Sequence, residues 1–399
     1  MKLNSVRDAT AAGKRVLVRV DFNVPLKDGV VGDDTRIRAA MPTIIKLLSD
    51  GARLILCSHL GRPKGEAREE LRMAPAAKRL GELLAALGDY EVTAAPECTG
   101  PEVKALVDGS PANRIILLEN LRFNPGETKN DPQFAKALAT LADIYVSDAF
   151  GTVHRAHAST EGVAQLLPAY AGLLVEKEVA SLAKVTDNPV KPLAILMGGA
   201  KISGKIDVLR NLLPLSDLVM IGGAMANTFV KTMGLETGKS LVEDDMLQTA
   251  RNLVAQASES KTQLMLPLDY VVTDSIDPPG EARVVAHDAI GPADIAVDIG
   301  PETNAYYSKQ IAKAGTVFWN GPMGIFEVEQ FSQGTTAMAK AMADAYETAH
   351  TVIGGGESVA AVNKAGLAKR IHHVSTGGGA SLEFVAGREL PGIQVLLAE

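Results

Sequence analysis

The sequence predicts an α/β protein with two doubly wound parallel-sheet (Rossmann-like) domains, joined by an inter-domain helix and a hinge. Short apolar runs alternate with amphipathic helical stretches, as in parallel sheets covered by helices on both faces. The alternation occurs twice, and 399 residues are too many for one ordinary hydrophobic core. Each run also ends abruptly in glycine or polar residues. Candidate ligand-binding groups therefore lie at the carboxyl ends of the predicted strands.

The first half contains four short apolar runs that predict the buried strands of one sheet. The runs are Arg15–Val20, Arg53–Cys57, Ile115–Leu118 and Ile144–Val146. Between them, Ala76–Leu87 and Gln133–Leu141 have apolar residues at helical spacing. We therefore predict an N-terminal domain over residues 1–172.

The second half repeats the pattern with six further runs. They are Leu193–Met197, Leu218–Ile221, Gln263–Pro267, Thr316–Trp319, Thr351–Ile353 and His373–Ser375. Thr335–Thr348 and Ser358–Leu367 are helical stretches between them, and residues 188–383 are predicted to form the second domain. The segment 173–187 has a continuous helical pattern without glycine and is followed by prolines, which predicts the inter-domain helix.

Composition and charge argue against several classes of function. The net charge of −7 arises in the second half of the chain, and an acidic chain is not expected to bind nucleic acid. No apolar run approaches the ~20 residues that span a bilayer, so no membrane role is expected. The N-terminal residues lack the apolar core of a signal peptide, and Cys57 and Cys98 have no CxxC spacing. A reducing, cytoplasmic location without disulfides or a zinc site is expected.

The predicted strand ends of the first half collect basic side chains. They are His59, Arg62, Arg122, His154 and Arg155, and Arg36 and Arg38 lie in a nearby predicted loop. Because the carboxyl ends of parallel strands share one edge, these groups should converge on one rim. Guanidinium forks match carboxylate and phosphate oxygens, so the cluster predicts a site for a small, multiply charged anion. The alternative is a set of ordinary surface salt bridges.

The second half offers glycine at most strand ends, which is typical of backbone that approaches a ligand closely. Leu193–Ile206 partly matches a phosphate-binding P-loop, but Ile206 stands where that motif has a Ser or Thr hydroxyl. Gly354–Gly356 precedes a predicted helix and is the better candidate for an anion nest. Glu357 beside it has two interpretations: it orients a water on Mg²⁺, or it complements the helix dipole.

Several catalytic motifs are absent from the sequence. The dinucleotide fingerprint GxGxxG fails at Val359, which argues against a nicotinamide-dependent dehydrogenase, and neither GxSxG nor HExxH occurs. His372 and His373 lie in a short apolar segment and are interpreted as structural. Phosphoryl transfer onto a carboxylate fits this pattern, because an ionised acceptor needs no general base. A two-domain anion-binding protein that closes on a hinge is the alternative.

Nine sequence strings resemble, in order and spacing, those of the phosphoglycerate kinase family along essentially the whole chain. They are RVDFNVP (Arg19–Pro25), SHLGRP (Ser58–Pro63), ENLRF (Glu119–Phe123), DAFGTVHRAHAS (Asp148–Ser159), GGAKISGKI (Gly198–Ile206), IGGAMANTF (Ile221–Phe229), DIGPET (Asp298–Thr303), WNGPMGIFE (Trp319–Glu327) and STGGGASLEF (Ser375–Phe384). The resemblance implies a glycolytic kinase, and it indicates that the P-loop spacing in Leu193–Ile206 is a coincidence.

The resemblance also implies roles for individual residues. Positions similar to ligands of 3-phosphoglycerate are Asp21, Asn23, Arg36, His59, Leu60, Gly61, Arg62, Arg122 and Arg155. Positions similar to ligands of the nucleotide are Gly199, Lys201, Lys205, Gly223, Asn320, Pro322, Glu327, Gly355, Gly356, Glu357 and Ser358. Positions similar to catalytic groups are Arg36, Lys205, Gly356 and Gly379. Glu357 is the implied metal position, for Mg²⁺ that enters as MgATP or MgADP.

The family's reaction interconverts 1,3-bisphosphoglycerate with MgADP and 3-phosphoglycerate with MgATP. The resemblance implies that the substrates bind to separate domains and that in-line transfer follows hinge closure, without a general base. It further implies a monomer whose C-terminal tail, about residues 384–399, packs on the first domain. Glu357 replaces the family's usual aspartate and extends the carboxylate by one methylene. A water-mediated contact to the metal is therefore an alternative to a direct one.

Overall fold

In the computed structural model, which describes residues 1–398, the chain divides into two compact units. Unit 1 comprises Met1–Val179 and the C-terminal segment from Glu389 onward, and unit 2 comprises Ala180–Arg388. Each unit contains its own six-stranded parallel sheet. The predicted fold class, with two doubly wound α/β sheets, is confirmed.

Unit 1 has eight strands, of which six form the parallel sheet. The strands are β1 (Arg15–Val20), β2 (Leu26–Lys27), β3 (Val30–Val31), β4 (Arg53–Cys57), β5 (Glu91–Ala94), β6 (Arg114–Leu117), β7 (Ile144–Asp148) and β8 (Ala169–Ala171). The sheet order is β5-β6-β4-β1-β7-β8, and β2 and β3 form a short antiparallel hairpin. After β1 the chain forms the strands on one side of it, beginning with β4. It then returns to the other side of β1 to form β7 and β8. Ligands are therefore expected at the carboxyl ends of β1 and β7, where the winding direction reverses.

Helices cover both faces of this sheet. They are α1 (Thr35–Ser49), α2 (Ala74–Leu84), α3 (Pro101–Gly109) and α4 (Pro132–Ala139), and α5 (Leu173–Thr186) runs from unit 1 into unit 2. Strand β1 is buried on both faces, as its continuous apolar sequence predicts. Val18 packs into the core with residues of α1 and α2, whereas Leu17 packs into the core with residues of α3 and α4. Arg19 shares the face of Leu17, because side chains alternate along a strand.

Unit 2 has nine strands in two sheets. The strands are β9 (Leu193–Met197), β10 (Leu218–Ile221), β11 (Gln263–Met265), β12 (Asp269–Thr273), β13 (Arg283–Ala286), β14 (Ile295–Ile299), β15 (Thr316–Asn320), β16 (His350–Gly354) and β17 (His373–Val374). The parallel sheet has the order β11-β10-β9-β15-β16-β17, and the other sheet is antiparallel with the order β13-β12-β14. The winding direction of the parallel sheet reverses between β9 and β15, so the second ligand site is expected at their carboxyl ends.

The helices of unit 2 are α6 (Ile206–Leu212), α7 (Met225–Thr232), α8 (Leu247–Glu259), α9 (Pro301–Ile311), α10 (Gln333–Asp344), α11 (Gly356–Lys364) and α12 (Gly379–Val385). A last helix, α13 (Pro391–Gln394), belongs to unit 1. Trp319 of β15 and Met338 of α10 are buried in the core beside the parallel sheet. Across residues 1–398, none of these helices has the length and hydropathy that a bilayer span requires.

The structure contains elements that the apolar runs do not predict. Strand β5 is partly exposed and its sequence EVTA lacks a continuous apolar run, whereas β8 is apolar but has only three residues, AYA. The antiparallel sheet is also missed, because β13 is largely exposed and has no helical stretch beside it in the sequence. Arg36 and Arg38 lie in the first turn of α1 and not in a loop, which corrects the prediction for that segment.

Candidate functional site

In unit 1 the residues predicted to bind an anion lie on the loops that follow β1, β4, β6 and β7. They are Asp21, Asn23, His59, Leu60, Gly61, Arg62, Arg122 and Arg155. Hydrogen bonds connect the loops. The Asn23 side-chain oxygen accepts from Gly61 N at 2.9 Å, and Arg122 donates to the Gly61 carbonyl oxygen at 2.7 Å. The structure therefore brings the loops together at the carboxyl edge of the sheet.

Arg36 reaches the same edge from the first turn of α1. Its guanidinium donates to the Asn23 carbonyl oxygen at 2.9 Å and lies 3.4 Å from the Asp21 carboxylate. Arg38, two residues further on, donates instead to Asp34 at 2.8 Å. The salt-bridge interpretation thus applies to Arg38, which is not part of the cluster.

The cations of this edge are poorly neutralised by the protein. Arg62 and Arg155 are exposed, and neither forms an ion pair with a carboxylate among residues 1–398. Burial, together with Arg155 and Arg19 nearby, lowers the pKa of Arg122 to about 10. Burial and the surrounding guanidinium groups also hold the pKa of His59 well below its usual value, so its ring is neutral. An anionic ligand would find at Arg62 and Arg155 positive charge that no carboxylate among residues 1–398 pairs with.

Arg19 is a residue of this site that the strand-end pattern misses. It is buried within β1, and its Nη2 lies 3.1 Å from Nδ1 of His59. Glu127, from the loop after β6, is buried as well and contributes negative charge near Arg19. A charged residue inside an otherwise apolar run is a usable signal, because arginine is almost never fully buried without a partner.

In unit 2 glycine-containing loops pack backbone against backbone at the ends of β9, β10 and β15. Gly199 N donates to the Pro322 carbonyl oxygen at 2.8 Å. A Cβ on Gly198 would lie 2.2 Å from that oxygen, and a Cβ on Gly223 would lie 2.6 Å from Gly199 N. No other residue type fits at these two positions. The sequence pattern of glycine at strand ends therefore reflects close backbone approach around the candidate ligand site.

The predicted anion nest lies at the N-terminus of α11. The chain turns at Gly355, where φ is 90°, and the helix begins at Gly356. Asn320, at the end of β15, donates its side-chain amide to the Gly354 carbonyl oxygen at 2.8 Å. This bond connects the nest to β15 of the parallel sheet. The first N–H groups of α11 have no partner within the helix and are available to an anion.

Two further predicted residues lie in the first turns of helices. The buried Ser358 hydroxyl of α11 accepts a hydrogen bond from Gly321 N at 2.6 Å. Ser358 therefore holds the loop after β15 against α11. Gly379 is the first residue of α12 and follows Gly378, where φ is 52°. Its position leaves a backbone N–H exposed at that helix start.

A cavity of about 420 Å³ opens beside these loops within unit 2. Its wall includes the apolar side chains of Leu241, Ile276, Val297 and Ile325. The predicted nucleotide residues that line it are Gly199, Gly223, Pro322, Glu327 and Glu357. A mostly apolar cleft with a few polar groups suits a planar ligand that carries a charged tail.

Lys201 and Lys205 lie in the loop between β9 and α6, with Lys205 at the N-cap of α6. Lys201 is exposed. Burial lowers the pKa of Lys205 to about 8, although the nearby Glu357 acts in the opposite direction. Glu243 fixes the loop, since its carboxylate accepts from the Ser203 N–H at 3.2 Å and from the Ser203 hydroxyl at 2.5 Å. The sequence gives no signal for this contact.

The donor groups of unit 2 suit a metal that arrives with its ligand. Across residues 1–398 no set of three or more His, Cys, Asp or Glu side chains is arranged to hold a metal ion. Glu357 is exposed on the first turn of α11. Mg²⁺ keeps several waters and takes one or two carboxylates beside phosphate oxygens. A single carboxylate at the start of a helix that is a candidate for phosphate binding therefore fits Mg²⁺ bound to a nucleotide.

The chain is similar to known proteins over its whole length. A family model described as phosphoglycerate kinase matches residues 6–388. The phosphoglycerate kinase of Chloroherpeton thalassium is 53% identical over 398 residues, which is 99% of each chain. That of Chlorobium limicola is 53% identical over 399 residues, or 99% of this chain and 100% of the relative.

Solved structures show the same similarity. The structure of phosphoglycerate kinase from Coxiella burnetii has a TM-score of 0.89 at 42% sequence identity and covers 99% of this chain and 98% of that chain. The enzyme from Pyrococcus horikoshii has a TM-score of 0.81 at 32% identity with the same coverage. The architecture of this chain, with one six-stranded parallel sheet in each unit, is thus that of these proteins.

Proposed function

This chain belongs to the phosphoglycerate kinase family, and we propose that it catalyses reversible phosphoryl transfer between 1,3-bisphosphoglycerate with MgADP and 3-phosphoglycerate with MgATP, as a step of glycolysis. The main observation behind this proposal is that unit 1 has a candidate site for the phosphoglycerate and unit 2 has a candidate site for the nucleotide. Unit 1 has a guanidinium cluster with a net excess of positive charge at the switch point of its sheet. Unit 2 has an apolar cleft, glycine-rich loops and a half-buried lysine at the switch point of its own.

The guanidinium cluster matches the charge of the proposed substrate. 3-Phosphoglycerate is a short chain with a carboxylate at one end and a phosphate at the other. Arg62 and Arg155 have no ion-pair partner among the described residues and are free to form bidentate bonds with phosphate oxygens. Arg36 donates a hydrogen bond to the Asn23 carbonyl oxygen, which holds its guanidinium at the edge of the cluster. There it would bind the oxygens of the transferred phosphoryl group.

The cleft of unit 2 matches a nucleotide. The adenine ring would occupy the apolar wall, with the ribose near Glu327. The phosphates would lie along the loops of Gly199 and Gly223 and at the N-terminus of α11, where backbone N–H groups favour anions. Lys201 and Lys205 would then neutralise phosphate oxygens from the loop before α6.

The proposed reaction needs no proton transfer. It requires groups that hold and neutralise phosphate oxygens, and the two candidate half-sites contain such groups. During ATP synthesis an oxygen of the ADP β-phosphate forms a bond to the phosphorus of the acyl phosphate, while the bond from that phosphorus to the carboxyl oxygen breaks. The attacking β-phosphate oxygen is already anionic and the carboxyl oxygen leaves as a carboxylate, so no proton is moved and no general base is used. Arg36 and Lys205 and the N–H groups of Gly356 and Gly379 hold and neutralise the moving oxygens after hinge closure. Mg²⁺, held by the nucleotide with Glu357 nearby, supplies further neutralisation of phosphate oxygens.

We further propose that the protein acts as a monomer in the cytoplasm. One chain supplies both half-sites, so the proposed reaction requires no second subunit. Cys57 and Cys98 are both free and buried, which fits a reducing compartment.

A coupled assay of ATP formation from ADP and 1,3-bisphosphoglycerate tests the proposal. The purified chain should turn over, and Lys205→Ala should lower kcat by about 10²–10³-fold with a much smaller change in ADP affinity, because the contact strengthens in the transition state. A hinge-closing protein that only binds anions would bind both ligands but form no ATP. Absence of turnover by the folded chain would refute the enzyme assignment.

A further inference from the structure

A buried series of hydrogen bonds lies behind the predicted substrate residues of unit 1. It runs from Glu127 through Ser159 and Arg19 to His59, and all four side chains are buried. We call these four residues the relay. Arg19 comes from β1, His59 from the loop after β4, and the other two from the loops after β6 and β7. The relay therefore connects the loops on which the proposed substrate residues lie.

Ser159 fixes the direction of these hydrogen bonds. Its hydroxyl donates to Oε1 of Glu127 at 2.6 Å, and its backbone N–H donates to Oε2 at 3.0 Å. Both carboxyl oxygens thus accept, as in an ionised carboxylate. Because the single hydroxyl hydrogen is used in this way, Oγ is an acceptor toward Nε of Arg19, 2.8 Å away. Glu127 therefore orients Ser159 to receive Arg19, and its negative charge offsets that of the buried guanidinium.

Arg19 in turn determines which nitrogen of His59 carries the proton. Its Nη2 lies 3.1 Å from Nδ1 of His59. A guanidinium has donors but no acceptor, so Nδ1 must accept and the ring hydrogen must be on Nε2. Nε2 has no hydrogen-bond partner among residues 1–398, and it is not one of their buried unpaired atoms, so it meets solvent. Burial and the nearby arginines hold the pKa of His59 well below its usual value, in agreement with a neutral ring.

We propose that Glu127 is a positioning residue: through Ser159 and Arg19 it holds His59 as the neutral Nε2–H tautomer and so presents one N–H donor to the anionic substrate. This inference rests on the proposed function only in assigning the substrate to the edge that His59 faces. The opposite tautomer would turn a lone pair of Nε2 toward the substrate oxygens and repel them. Glu127 would thereby tune substrate binding without contacting the substrate.

Nitrogen NMR measures the tautomer directly and does not depend on activity. Long-range ¹H–¹⁵N correlation spectra distinguish a pyridine-type nitrogen from an N–H nitrogen, and His59→Gln identifies the His59 signals. We expect a pyridine-type Nδ1 and an N–H at Nε2 in the parent chain. In Ser159→Ala, Arg19 loses its Nε acceptor and should release Nδ1, so the two nitrogen shifts should move toward averaged values. Glu127→Gln keeps the shape of the side chain but removes its negative charge. We expect the His59 nitrogen shifts to move toward averaged values in this variant as well.

Tyr145→Phe is a matched control for the cost of losing a buried hydrogen bond. The Tyr145 hydroxyl donates to the Ser159 carbonyl oxygen at 2.8 Å, so this variant weakens the same turn but removes none of the hydrogen bonds that link the four relay residues. We expect a comparable loss of thermal stability and unaltered His59 nitrogen shifts. A general softening of the turn would instead shift the His59 signals in all three variants alike and would refute the relay.

Kinetics give a second readout. Ser159→Ala and Glu127→Gln should raise the KM for 3-phosphoglycerate by about tenfold, with kcat within about threefold and the KM for the nucleotide unchanged, because the lost donor contributes to substrate binding. Ser159→Thr, which keeps the hydroxyl, should restore the KM to within about twofold of the parent value. Tyr145→Phe should leave all three constants unchanged.

Two further outcomes would overturn the inference. One is an Nδ1–H tautomer of His59 in the parent chain. The other is an unaltered Nε2–H tautomer in Glu127→Gln, which is isosteric and decides the question if Ser159→Ala does not fold. Absence of turnover by the parent chain would be a failure of the proposed function, whereas the nitrogen shifts would still support or refute the relay.

Discussion

At the scale of single residues, Lys205 connects burial to chemistry most directly. Its place before α6 leaves it half-buried, and this burial lowers its pKa to about 8. The ammonium form is the one that neutralises phosphate oxygens, so the free enzyme should lose competence as the pH rises through that pKa. We expect kcat/KM for ADP to be level below about pH 8 and to fall about tenfold per pH unit above it.

The matched variant for this pH prediction is Lys205→Arg. Arginine keeps its charge to above about pH 12, so the alkaline decline should move out of the measured range even if the rate itself is lower. A pH–rate profile of both proteins checks this. If the decline near pH 8 persists in Lys205→Arg, a group other than Lys205 causes it.

Arg62 and Arg38 form a natural pair for testing the anion cluster. Both are exposed arginines of unit 1, but Arg62 lacks a carboxylate partner among the described residues, whereas Arg38 is paired with Asp34. Arg62→Ala should weaken 3-phosphoglycerate binding by about 10–100-fold and leave ADP affinity nearly unchanged, since a charged hydrogen bond contributes about 1.5–3 kcal/mol. Arg38→Ala should change neither constant. Calorimetric titration with each ligand measures both, and equal effects of the two variants would contradict the assignment.

Glu357 is a residue at which we expect this chain to differ from the family pattern, which has an aspartate there. If its longer carboxylate still reaches Mg²⁺ or a water on it, Glu357→Asp should retain activity and Glu357→Ala should need more Mg²⁺. Titration of ADP at several Mg²⁺ concentrations gives a readout that does not depend on turnover. We expect the Mg²⁺-induced gain in ADP affinity to be smaller in Glu357→Ala than in the parent chain or Glu357→Asp. An unchanged Mg²⁺ dependence in the alanine variant would show that Glu357 only complements the helix dipole.

At the scale of elements, the parts predicted best from sequence are the fully buried ones. Strands β1, apart from its two arginines, and β9 are apolar runs because parallel sheets are covered on both faces, and their observed bounds equal the predicted ones. In the antiparallel sheet, β13 is missed because most of its residues meet water, whereas nothing in the buried β12 and β14 sets their sequences apart. The glycine string Gly354–Gly356 predicts an anion nest before a helix, but the φ of 90° at Gly355 and its contact with Asn320 depend on tertiary packing.

The two ends of α11 offer a test of that packing. Both Gly355, before the helix, and Gly366, after it, have positive φ angles of 90° and 69°. A Cβ on Gly366 would meet nothing within 4 Å, whereas a Cβ on Gly355 would lie 2.6 Å from the Asn320 side-chain nitrogen. Gly366→Ala should cost about 1–2 kcal/mol of unfolding free energy through backbone strain alone.

Gly355→Ala carries the same strain and a clash. It should cost about 1–3 kcal/mol more, because the buried Asn320 amide must move away from the Gly354 carbonyl oxygen. It should also reduce ADP affinity, which Gly366→Ala should leave intact. Denaturant unfolding and ADP titration check both expectations. Equal stability and equal affinity in the two variants would mean that the Asn320 contact does not constrain the turn.

At the scale of the whole molecule, the fold places both candidate half-sites where the winding of a sheet reverses. The strand-end residues of unit 1 and the glycine loops of unit 2 could be predicted from sequence, since they follow apolar runs. Glu127 and Glu243 could not, because their partners are brought to them by the fold from distant segments, and Arg19 is indicated only as a charged residue inside an apolar run. The pattern of apolar runs and strand-end residues thus predicts where a ligand would bind. The hydrogen bonds that hold the candidate ligand residues in place can be identified only from the folded structure.

The proposed mechanism predicts a conformational response to both ligands together. 3-Phosphoglycerate with MgADP is a pair that cannot react further, so it allows a measurement without turnover. We expect the radius of gyration from small-angle X-ray scattering to fall when both ligands are present and to change little with either alone, because only the ternary complex gains the contacts that favour closure. The same decrease with MgADP alone would contradict closure by the two half-sites.

The central claim is direct transfer of one phosphoryl group between two small substrates held by one chain. It is tested by supplying 1,3-bisphosphoglycerate labelled with ³²P in its acyl phosphate, together with MgADP, and separating the products after a single turnover. We expect the label in the γ-phosphate of ATP, with none on the protein. Label in inorganic phosphate, or bound covalently to the chain, would contradict direct transfer.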